Sequence, residues 1–220
     1  MPKLHDLRNY LVDSPKSMGQ RRRTQRWETL AATFPDLREM HVIDLGGTPR
    51  SWLRAPARPA TVHVVNLDGR ETLDELPEWI TFEEGDACAL PERLLERRFD
   101  LVFSNSVIEH VGGHAQRARF ATSVTTLADR YWVQTPYRYF PVEPHWLFPG
   151  FQFLPVKAQA AVSQHWPLMH TPSTSEVGAI SAALQVELIG QTEMRHYFPG
   201  CRIIKEKMAG LTKSIIAVHT

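Results

Sequence analysis

Residues 42–50 read VIDLGGTPR, in which a short apolar run ends at two adjacent glycines, Gly46 and Gly47. An apolar run of this length that is bounded by glycine is typical of a strand buried in a parallel sheet. Glycine lets the backbone approach a ligand closely and adopt positive φ. Because ligands of open α/β sheets bind at the carboxyl ends of the strands, this turn is a candidate binding site. A plain turn between a strand and a helix is the alternative.

Short apolar runs and amphipathic stretches alternate along the rest of the chain, which is the pattern of repeated β-α-β units. Strands are predicted at 42–45, 62–67, 80–83, 99–104 and 131–134, followed by a hairpin of 201–208 and 213–219. Helices are predicted at 18–34, near Leu73, and at 92–98, 114–128 and 175–185. Thr192 is the predicted N-cap of a further short helix. We therefore predict a single α/β domain over residues 1–220, with an N-terminal helical segment at 1–40.

The composition favours an ordinary globular protein, with 43% hydrophobic residues and a net charge of +1 in 220 residues. This balance indicates neither a nucleic-acid partner nor a membrane partner, and no apolar run is long enough for a membrane span. Cys88 and Cys201 lack metal-ligand spacing, and the N-terminus lacks an apolar signal core, so we expect a cytoplasmic protein. Residues 16–26 form a basic run without an acid. This run is a solvated helix face, a site for an anionic group of the substrate, or a source of an arginine for a cofactor carboxylate.

Two further segments follow predicted strands and belong to the same edge of the sheet. EGDACALP covers residues 84–91, and FDLVFSNSVIEHVG covers residues 99–112. With the glycine turn, in this order and spacing, they resemble the motifs of class I S-adenosylmethionine (SAM)-dependent methyltransferases, especially the type 11/12 group. The resemblance covers roughly residues 20–220. It implies a Rossmann-like α/β fold, with a seven-stranded, mostly parallel sheet, a terminal antiparallel hairpin and helices on both faces.

The resemblance implies that SAM is the cofactor. Asp44 and Gly46 match the family's first motif, whereas Thr48 and Arg50 stand where its later glycines are expected. Gly47 is expected to supply the missing conformational freedom. An acid after the second strand accepts hydrogen bonds from the ribose hydroxyls, and here Asn66 holds that place and Asp68 follows it.

The remaining cofactor roles follow from the later motifs. Asp86 is expected to accept a hydrogen bond from the adenine amino group, and the backbone N–H of Ala87 to donate to the ring. Ser104 and Asn105 are expected beside the methionine half. The full predicted cofactor set is Asp44, Gly46, Gly47, Thr48, Asn66, Asp68, Asp86, Ala87, Ser104 and Asn105.

Glu109 and His110 occupy the acid–histidine position of the family's fourth motif. In some quinone-precursor O-methyltransferases of this group the pair helps to bind a divalent metal, together with a glutamate three residues earlier. Ser106 stands at that place here, so no metal is predicted. Local packing of His110 is the alternative to a catalytic role.

Residues 137–155, YRYFPVEPHWLFPGFQFLP, are too rich in proline for one regular element and too apolar for a disordered linker. We predict an ordered, substrate-covering insert at 135–175, which leaves the sheet beside the reactive methyl group. Histidine accepts a proton near neutral pH, so the base is His145 or His110, oriented by Glu143 or Glu109. The predicted substrate-contacting side chains, which share an aromatic ring, are Tyr137, Tyr139 and Trp146, with Phe140 beside them. A purely hydrophobic lid is the alternative.

Methyl transfer from a sulfonium needs little activation of the donor, so the protein mainly positions the reactants and excludes water. The aromatic insert favours a small-molecule, lipid-linked or glycan acceptor, and an O-methyltransferase is the predicted activity. One alternative is a nicotinamide-dependent oxidoreductase, although the sequence lacks G-x-G-x-x-G after the first strand. The other is a non-catalytic SAM-binding partner module, which the altered glycine loop and Asn66 leave open.

Overall fold

The computed structural model describes residues 18–69, 75–166, 168 and 175–220. The main strands are β1 (His41–Leu45), β2 (Thr61–Asn66), β3 (Ile80–Glu84), β4 (Leu101–Asn105), β5 (Tyr131–Pro136), β8 (Arg202–Met208) and β9 (Leu211–His219), and a separate hairpin contains β6 (Val142–Glu143) and β7 (Phe148–Pro149). The helices are α1 (Met18–Thr33), α2 (Pro49–Leu53), α3 (Glu92–Leu95), α4 (His114–Leu127), α5 (Val156–His165), α6 (Glu176–Leu184) and α7 (Gln191–Tyr197). Turns of 3-10 helix lie at Leu37–Glu39 and Phe151–Phe153.

The main sheet has seven strands in the order β3-β2-β1-β4-β5-β9-β8. The first five run parallel, and β9 pairs antiparallel with both β5 and β8. The predicted Rossmann-like architecture with a terminal antiparallel hairpin is therefore confirmed. The order reverses between β1 and β4, and such a switch point is where open α/β sheets bind ligands.

Two hydrophobic clusters cover the opposite faces of the sheet. Consecutive strand residues alternate between them: in β1, Val42 lies in one cluster and Ile43 in the other. Helix α1 covers the first face with Leu30, and α4 covers the second with Phe120 and Val124. Side chains that alternate in this way bury both faces, which explains why the strands read as nearly continuous apolar runs.

Several helices begin or end at residues other than those predicted from the sequence. Helix α7 has Gly190 as its N-cap, so the predicted N-cap at Thr192 is wrong, because Thr192 already lies inside the first helical turn. Helix α3 ends at Leu95 and not at Arg98, since Leu94 is its one fully buried side chain and only one turn contacts the core. The helix expected near Leu73 lies outside the described residues.

The structure also contains elements that the pattern did not reveal. Helix α2 begins with Pro49 at its first position, where the missing N–H costs nothing, and Thr48 caps it by accepting a hydrogen bond from Ser51. Residues 137–155 form the small β6–β7 hairpin and a 3-10 turn, and α5 follows. In the described part of the chain, no helix is both long and apolar enough to cross a membrane.

The carboxyl ends of β1 to β5 meet at one edge of the sheet. The antiparallel strand β9 brings the opposite end to the same edge, because Ser214 pairs with Pro136 and the carbonyl of Lys213 accepts a hydrogen bond from Tyr137. This edge therefore contains the glycine turn, the ends of four further strands and the beginning of β9.

Candidate functional site

Two cavities open along this edge and meet at Gly46 and Ser106. The smaller has a volume of about 280 Å³ and the larger about 590 Å³. The smaller cavity is lined by residues at or just after the carboxyl ends of β1 to β4 and by one residue of α4, namely Gly46, Val65, Asn66, Leu67, Gly85, Asp86, Ala87, Cys88, Ser106, Val107, His110, Val111 and Gln116. The larger cavity lies between the glycine turn, α1, the β6–β7 hairpin and β9. A long ligand that crosses the edge at Gly46 would contact both cavities.

The glycine turn is built from two different constraints. Gly46 has φ of +82°, and a Cβ atom there would lie 2.5 Å from Val107 Cγ2. Gly47 does not have positive φ, so the conformational freedom expected of Gly47 is supplied by Gly46. Gly47 is instead required by space, because a Cβ atom would overlap the carboxylate of Asp44. Thr48 replaces a glycine without strain, since its extended backbone serves as the cap of α2.

Asp44 is fully buried at the end of β1 and borders the larger cavity. Its Oδ2 accepts a hydrogen bond of 2.7 Å from Trp52 Nε1, and its Oδ1 has no hydrogen-bond partner among the described residues. Burial raises the pKa of Asp44 to about 7, against the lowering effect of the hydrogen bond from Trp52. A cationic ligand group beside Oδ1 would donate the hydrogen bond that this oxygen lacks and would favour the ionised form of the carboxylate.

Asn66 uses its side chain to fix the glycine turn. Its Nδ2 donates to the carbonyls of Gly46 and Gly47 at 3.2 and 2.8 Å, and its Oδ1 accepts the backbone N–H of Asp68 at 3.0 Å. Asn66 lines the smaller cavity, whereas Asp68 is not among the residues that do so. The amide at this position therefore joins the ends of β1 and β2.

Asp86 and Ala87 line the far part of the smaller cavity. Asp86 Oδ1 accepts the backbone N–H of Cys88 at 2.8 Å, which fixes the direction of the carboxylate. The thiol of Cys88 donates to the carbonyl of Gln116, and burial raises the pKa of this thiol to about 11. Cys88 is thus a protonated wall residue and not a nucleophile.

The residues after β4 divide into two groups. Ser104 is buried and donates to the carbonyl of Leu45 at 2.8 Å, so it joins β4 to β1 and lines neither cavity. Asn105 lines the larger cavity, and its buried Oδ1 has no partner in the described part of the chain. Ser106 has φ of +55° and donates to Gln134 Oε1 at 3.1 Å, at the point where the cavities meet.

A cluster of two histidines and two glutamates lies beside this junction. Glu143 Oε1 accepts a hydrogen bond of 2.6 Å from His145 Nδ1, and Glu143 Oε2 accepts the backbone N–H of His145 at 2.7 Å. His145 Nε2 lies 3.2 Å from Nε2 of His110, and His110 lines the smaller cavity. Since Nδ1 of His145 carries the proton shared with Glu143, Nε2 of neutral His145 is a proton acceptor.

Glu109 forms the buried base of this cluster. Its Oε2 accepts a hydrogen bond from Thr135 at 2.9 Å, and its Oε1 has no partner in the described residues. Burial raises the pKa of Glu109 to about 7, and burial also lowers the pKa of His110. Both shifts favour the uncharged forms of Glu109 and His110, so a cationic group beside Oε1 would be needed to keep Glu109 ionised near neutral pH.

The same atoms could hold a divalent metal ion. Ligand atoms of Glu109, His110 and His145 lie within 4.8 Å of one another. With metal–nitrogen distances of about 2.0–2.1 Å, an Nε2–Nε2 distance of 3.2 Å corresponds to an angle of about 100° at the metal. Glu143 would orient His145 from outside, as carboxylates commonly do behind a ligating histidine.

The aromatic residues predicted to contact substrate lie elsewhere. Trp146 is buried, donates to Ser163 Oγ at 2.9 Å and stacks on Phe151 at 4.1 Å, so it holds the insert together. Tyr139 is 61% exposed, and neither it nor Tyr137 is among the residues that line these two cavities. Phe140 does line the larger cavity.

The larger cavity also contains residues that sequence reasoning missed. Its apolar wall includes Trp27 from α1 and Phe103 from β4, whose rings stack at 5.3 Å. Its basic wall contains Lys213 in addition to arginines of the basic run. The basic run at 16–26 indicated an anion site as one role of its arginines. Lys213 lies in the same cavity only because of the register of β9 against β5.

Comparison with known proteins addresses the fold. A SAM-dependent methyltransferase from Mesorhizobium loti has a TM-score of 0.56 at 15% identity, with 88% of this chain and 96% of that chain covered. Magnesium protoporphyrin IX methyltransferase from Synechocystis PCC 6803, solved with bound SAH (S-adenosylhomocysteine), has a TM-score of 0.53 at 14% identity, covering 98% and 94%. The chain has the class I methyltransferase fold. Neither the family models nor the curated protein sequences compared with this chain match it.

A third similar structure, a protein of Rhodobacter sphaeroides named as a Zn-dependent alcohol dehydrogenase, has a TM-score of 0.58 at 12% identity, covering 88% and 87%. The classical dinucleotide-binding sheet continues past its fifth strand with a sixth in the order 3-2-1-4-5-6. In the present class I methyltransferase fold, the antiparallel β9 lies between β5 and β8 instead.

Proposed function

We propose that this protein transfers the methyl group of SAM to an oxygen atom of a small molecule. The observation that supports this proposal best is the pair of cavities that meet at Gly46 and Ser106, with the His110–His145 pair beside the junction. A cofactor whose adenosine half lies in the smaller cavity, and whose methionine half crosses the junction to Asp44, can present its methyl group to an acceptor in the larger cavity. The fold supports the same reaction class.

The cofactor residues have separate roles in this proposal. Asp86 and Ala87 contact the adenine, and Asn66 holds the turn on which the ribose rests. Asp44 accepts a hydrogen bond from the ammonium of the methionine half, and Asn105 offers its buried Oδ1 at the same end. Thr48 and Ser104 support the turn and the strand ends without contacting the cofactor directly.

The transfer needs one proton acceptor. The bond between sulfur and the methyl carbon breaks as the bond between oxygen and that carbon forms, and the sulfonium becomes the neutral sulfide of SAH. The acceptor hydroxyl loses its proton to Nε2 of His145, which Glu143 orients and His110 contacts. The ionised form of Glu109 stabilises the positive charge on the resulting imidazolium of His145, because electrostatic interactions are strong in a buried setting.

Calorimetric titration with SAM, SAH and NAD tests the cofactor. We expect saturable binding of SAM and SAH and no response to NAD. The Asp86→Ala variant should bind SAM at least tenfold more weakly, because it loses the adenine acceptor. Glu39→Ala is the matched control, since Glu39 is an exposed acid that precedes β1 at the opposite edge of the sheet.

The same titration separates the competing functions. Binding of NAD without SAM would overturn the proposal in favour of the oxidoreductase. Binding of SAM with no release of SAH, in a broad screen of hydroxyl acceptors, would favour the non-catalytic module. SAH release that depends on an added hydroxyl compound is the expected result.

A further inference from the structure

The larger cavity has a strongly basic wall. Arg22, Arg23 and Arg26 come from α1, and Lys213 comes from β9. Asp44 is the one acid among the described residues that line this cavity. The cavity is also lined by apolar side chains, which include Trp27, Phe103, Phe140, Leu147 and Met208.

Among the described residues, Glu206 forms an ion pair with this wall through Arg26. Glu206 accepts two hydrogen bonds from Arg26, at 2.8 and 2.7 Å. Both of its carboxylate oxygens therefore bind that guanidinium. Lys213 is half-buried beside this ion pair, and its pKa is lowered first by burial and then by the charge of Arg26. Arg22 and Arg23 act in the same direction on Lys213. An anion bound here would relieve both the repulsion and the burial cost.

SAM itself does not meet this need. The cofactor carries a sulfonium, an ammonium and one carboxylate, so its net charge is positive. The buried carboxylate of Asp44 is available to its ammonium. The negative charge that the basic wall requires must therefore come largely from the acceptor.

We propose that the acceptor is a ring-bearing small molecule with an oxyanion, which binds to Lys213 and Arg22 while its ring packs on Trp27 and Phe103. This inference rests on the proposed methyl transfer and names the substrate class of that reaction. Lys213 precedes Ser214, the partner of Pro136, and its carbonyl accepts a hydrogen bond from Tyr137. It therefore lies where the histidine-bearing insert leaves β5. The oxyanion would thus anchor the acceptor at the rim while its hydroxyl faces the junction at Ser106.

Matched pairs of probes test the proposal by calorimetry on the SAH-saturated protein. 3,4-Dihydroxybenzoate is compared with 3,4-dihydroxybenzamide, and phenyl phosphate with phenol. We expect each acid to bind at least tenfold more tightly than its neutral partner. The ratio of affinities within each pair, compared between the two pairs, tells whether the carboxylate or the phosphate contributes more.

Lys213→Gln should weaken acid binding about tenfold and leave SAH binding unchanged. Lys205→Gln is the control, because it removes the same charge from an exposed position of the neighbouring strand β8. Arg22→Gln, at a half-buried position of α1 that lines the larger cavity, provides a second variant in case Lys213→Gln does not fold. Equal binding of acids and neutral partners, or no binding of any acid, would overturn the proposal.

Two outcomes separate this inference from the function on which it rests. Loss of SAH binding in Lys213→Gln, with acid binding unchanged, would overturn the proposal by assigning the basic wall to the methionine carboxylate. Failure of the wild-type protein to bind SAM or SAH would refute the proposed function itself. The acid titrations can also be run without cofactor. Binding of the acids can therefore still be measured if the protein binds neither SAM nor SAH.

Discussion

Nε2 of His145 lies 3.2 Å from Nε2 of His110, although the residues are 35 positions apart and belong to different segments. His110 follows β4, and His145 lies in the turn between β6 and β7. Their contact therefore fixes the insert against the edge of the sheet where the two cavities meet. Glu143 fixes His145 from the other side through both of its oxygens.

Removal of His145 tests the role of the cluster as a base. His145→Ala should lower kcat by roughly a factor of 10² or more, the usual contribution of general base catalysis, and leave SAM affinity nearly unchanged. His165→Ala is the matched control, since His165 is exposed on α5 and contacts only a carbonyl of its own helix in the described structure. A parallel loss of kcat and SAM affinity would show instead that His145 holds the site together.

Zinc should inhibit the enzyme if the histidines act as a base. A Zn²⁺ ion held by Glu109, His110 and His145 would occupy the nitrogen lone pairs that the acceptor's proton needs. We expect inhibition that EDTA reverses, with weaker zinc binding in His110→Ala as measured by calorimetry. Activation by a divalent ion, lost with EDTA, would contradict the base and make the cluster a metal centre.

The space at Gly47 should matter more than its flexibility. Gly47→Ala places a methyl group inside the carboxylate of Asp44, and we expect a loss of roughly 1–3 kcal/mol in the free energy of unfolding. Gly113→Ala meets no atom within 4 Å and has negative φ, so thermal melts should show a distinctly smaller change. SAM affinity should fall in the first variant only. Equal melting temperatures for the two variants would contradict this account.

The sequence indicated the sheet well because its strands are buried on both faces and therefore appear as short apolar runs. The same reasoning could not place residues whose position depends on the packing of the insert. Trp146 was predicted as a substrate contact from its ring alone, and nothing in the sequence indicated that its indole N–H donates to Ser163 and that its ring stacks on Phe151.

Long-range register explains the other omissions. Lys213 faces the larger cavity only because β9 inserts antiparallel beside β5, and no local pattern around Lys213 reveals this pairing. The Glu143–His145 pair was predicted from two titratable groups close in sequence, whereas its contact with His110 depends on how the β6–β7 hairpin folds back. Motifs within one strand–turn unit were thus predictable, and contacts between units were not.

Asp44 should make stability and cofactor binding respond to pH in opposite ways. Its pKa of about 7 in the folded protein exceeds its ordinary value of 3.8, so between these values the unfolded chain releases a proton that the folded protein keeps. Stability of the cofactor-free protein should therefore be greatest below pH 4 as far as Asp44 is concerned, and this contribution is lost as the pH rises towards 7. Each pKa unit corresponds to about 1.4 kcal/mol, so the effect amounts to several kcal/mol at pH 8.

The Asp44→Asn variant isolates this effect because an amide accepts the hydrogen bond from Trp52 without titrating. Thermal melts of the cofactor-free proteins should show that the variant gains stability over the wild type as the pH rises from 5 to 8. SAM affinity at pH 8 should nevertheless fall in the variant, because the ammonium of the cofactor loses its ionised partner. If the two proteins melt with the same pH dependence, Asp44 is already ionised in the folded state. If the variant binds SAM as tightly as the wild type, the ammonium lies elsewhere.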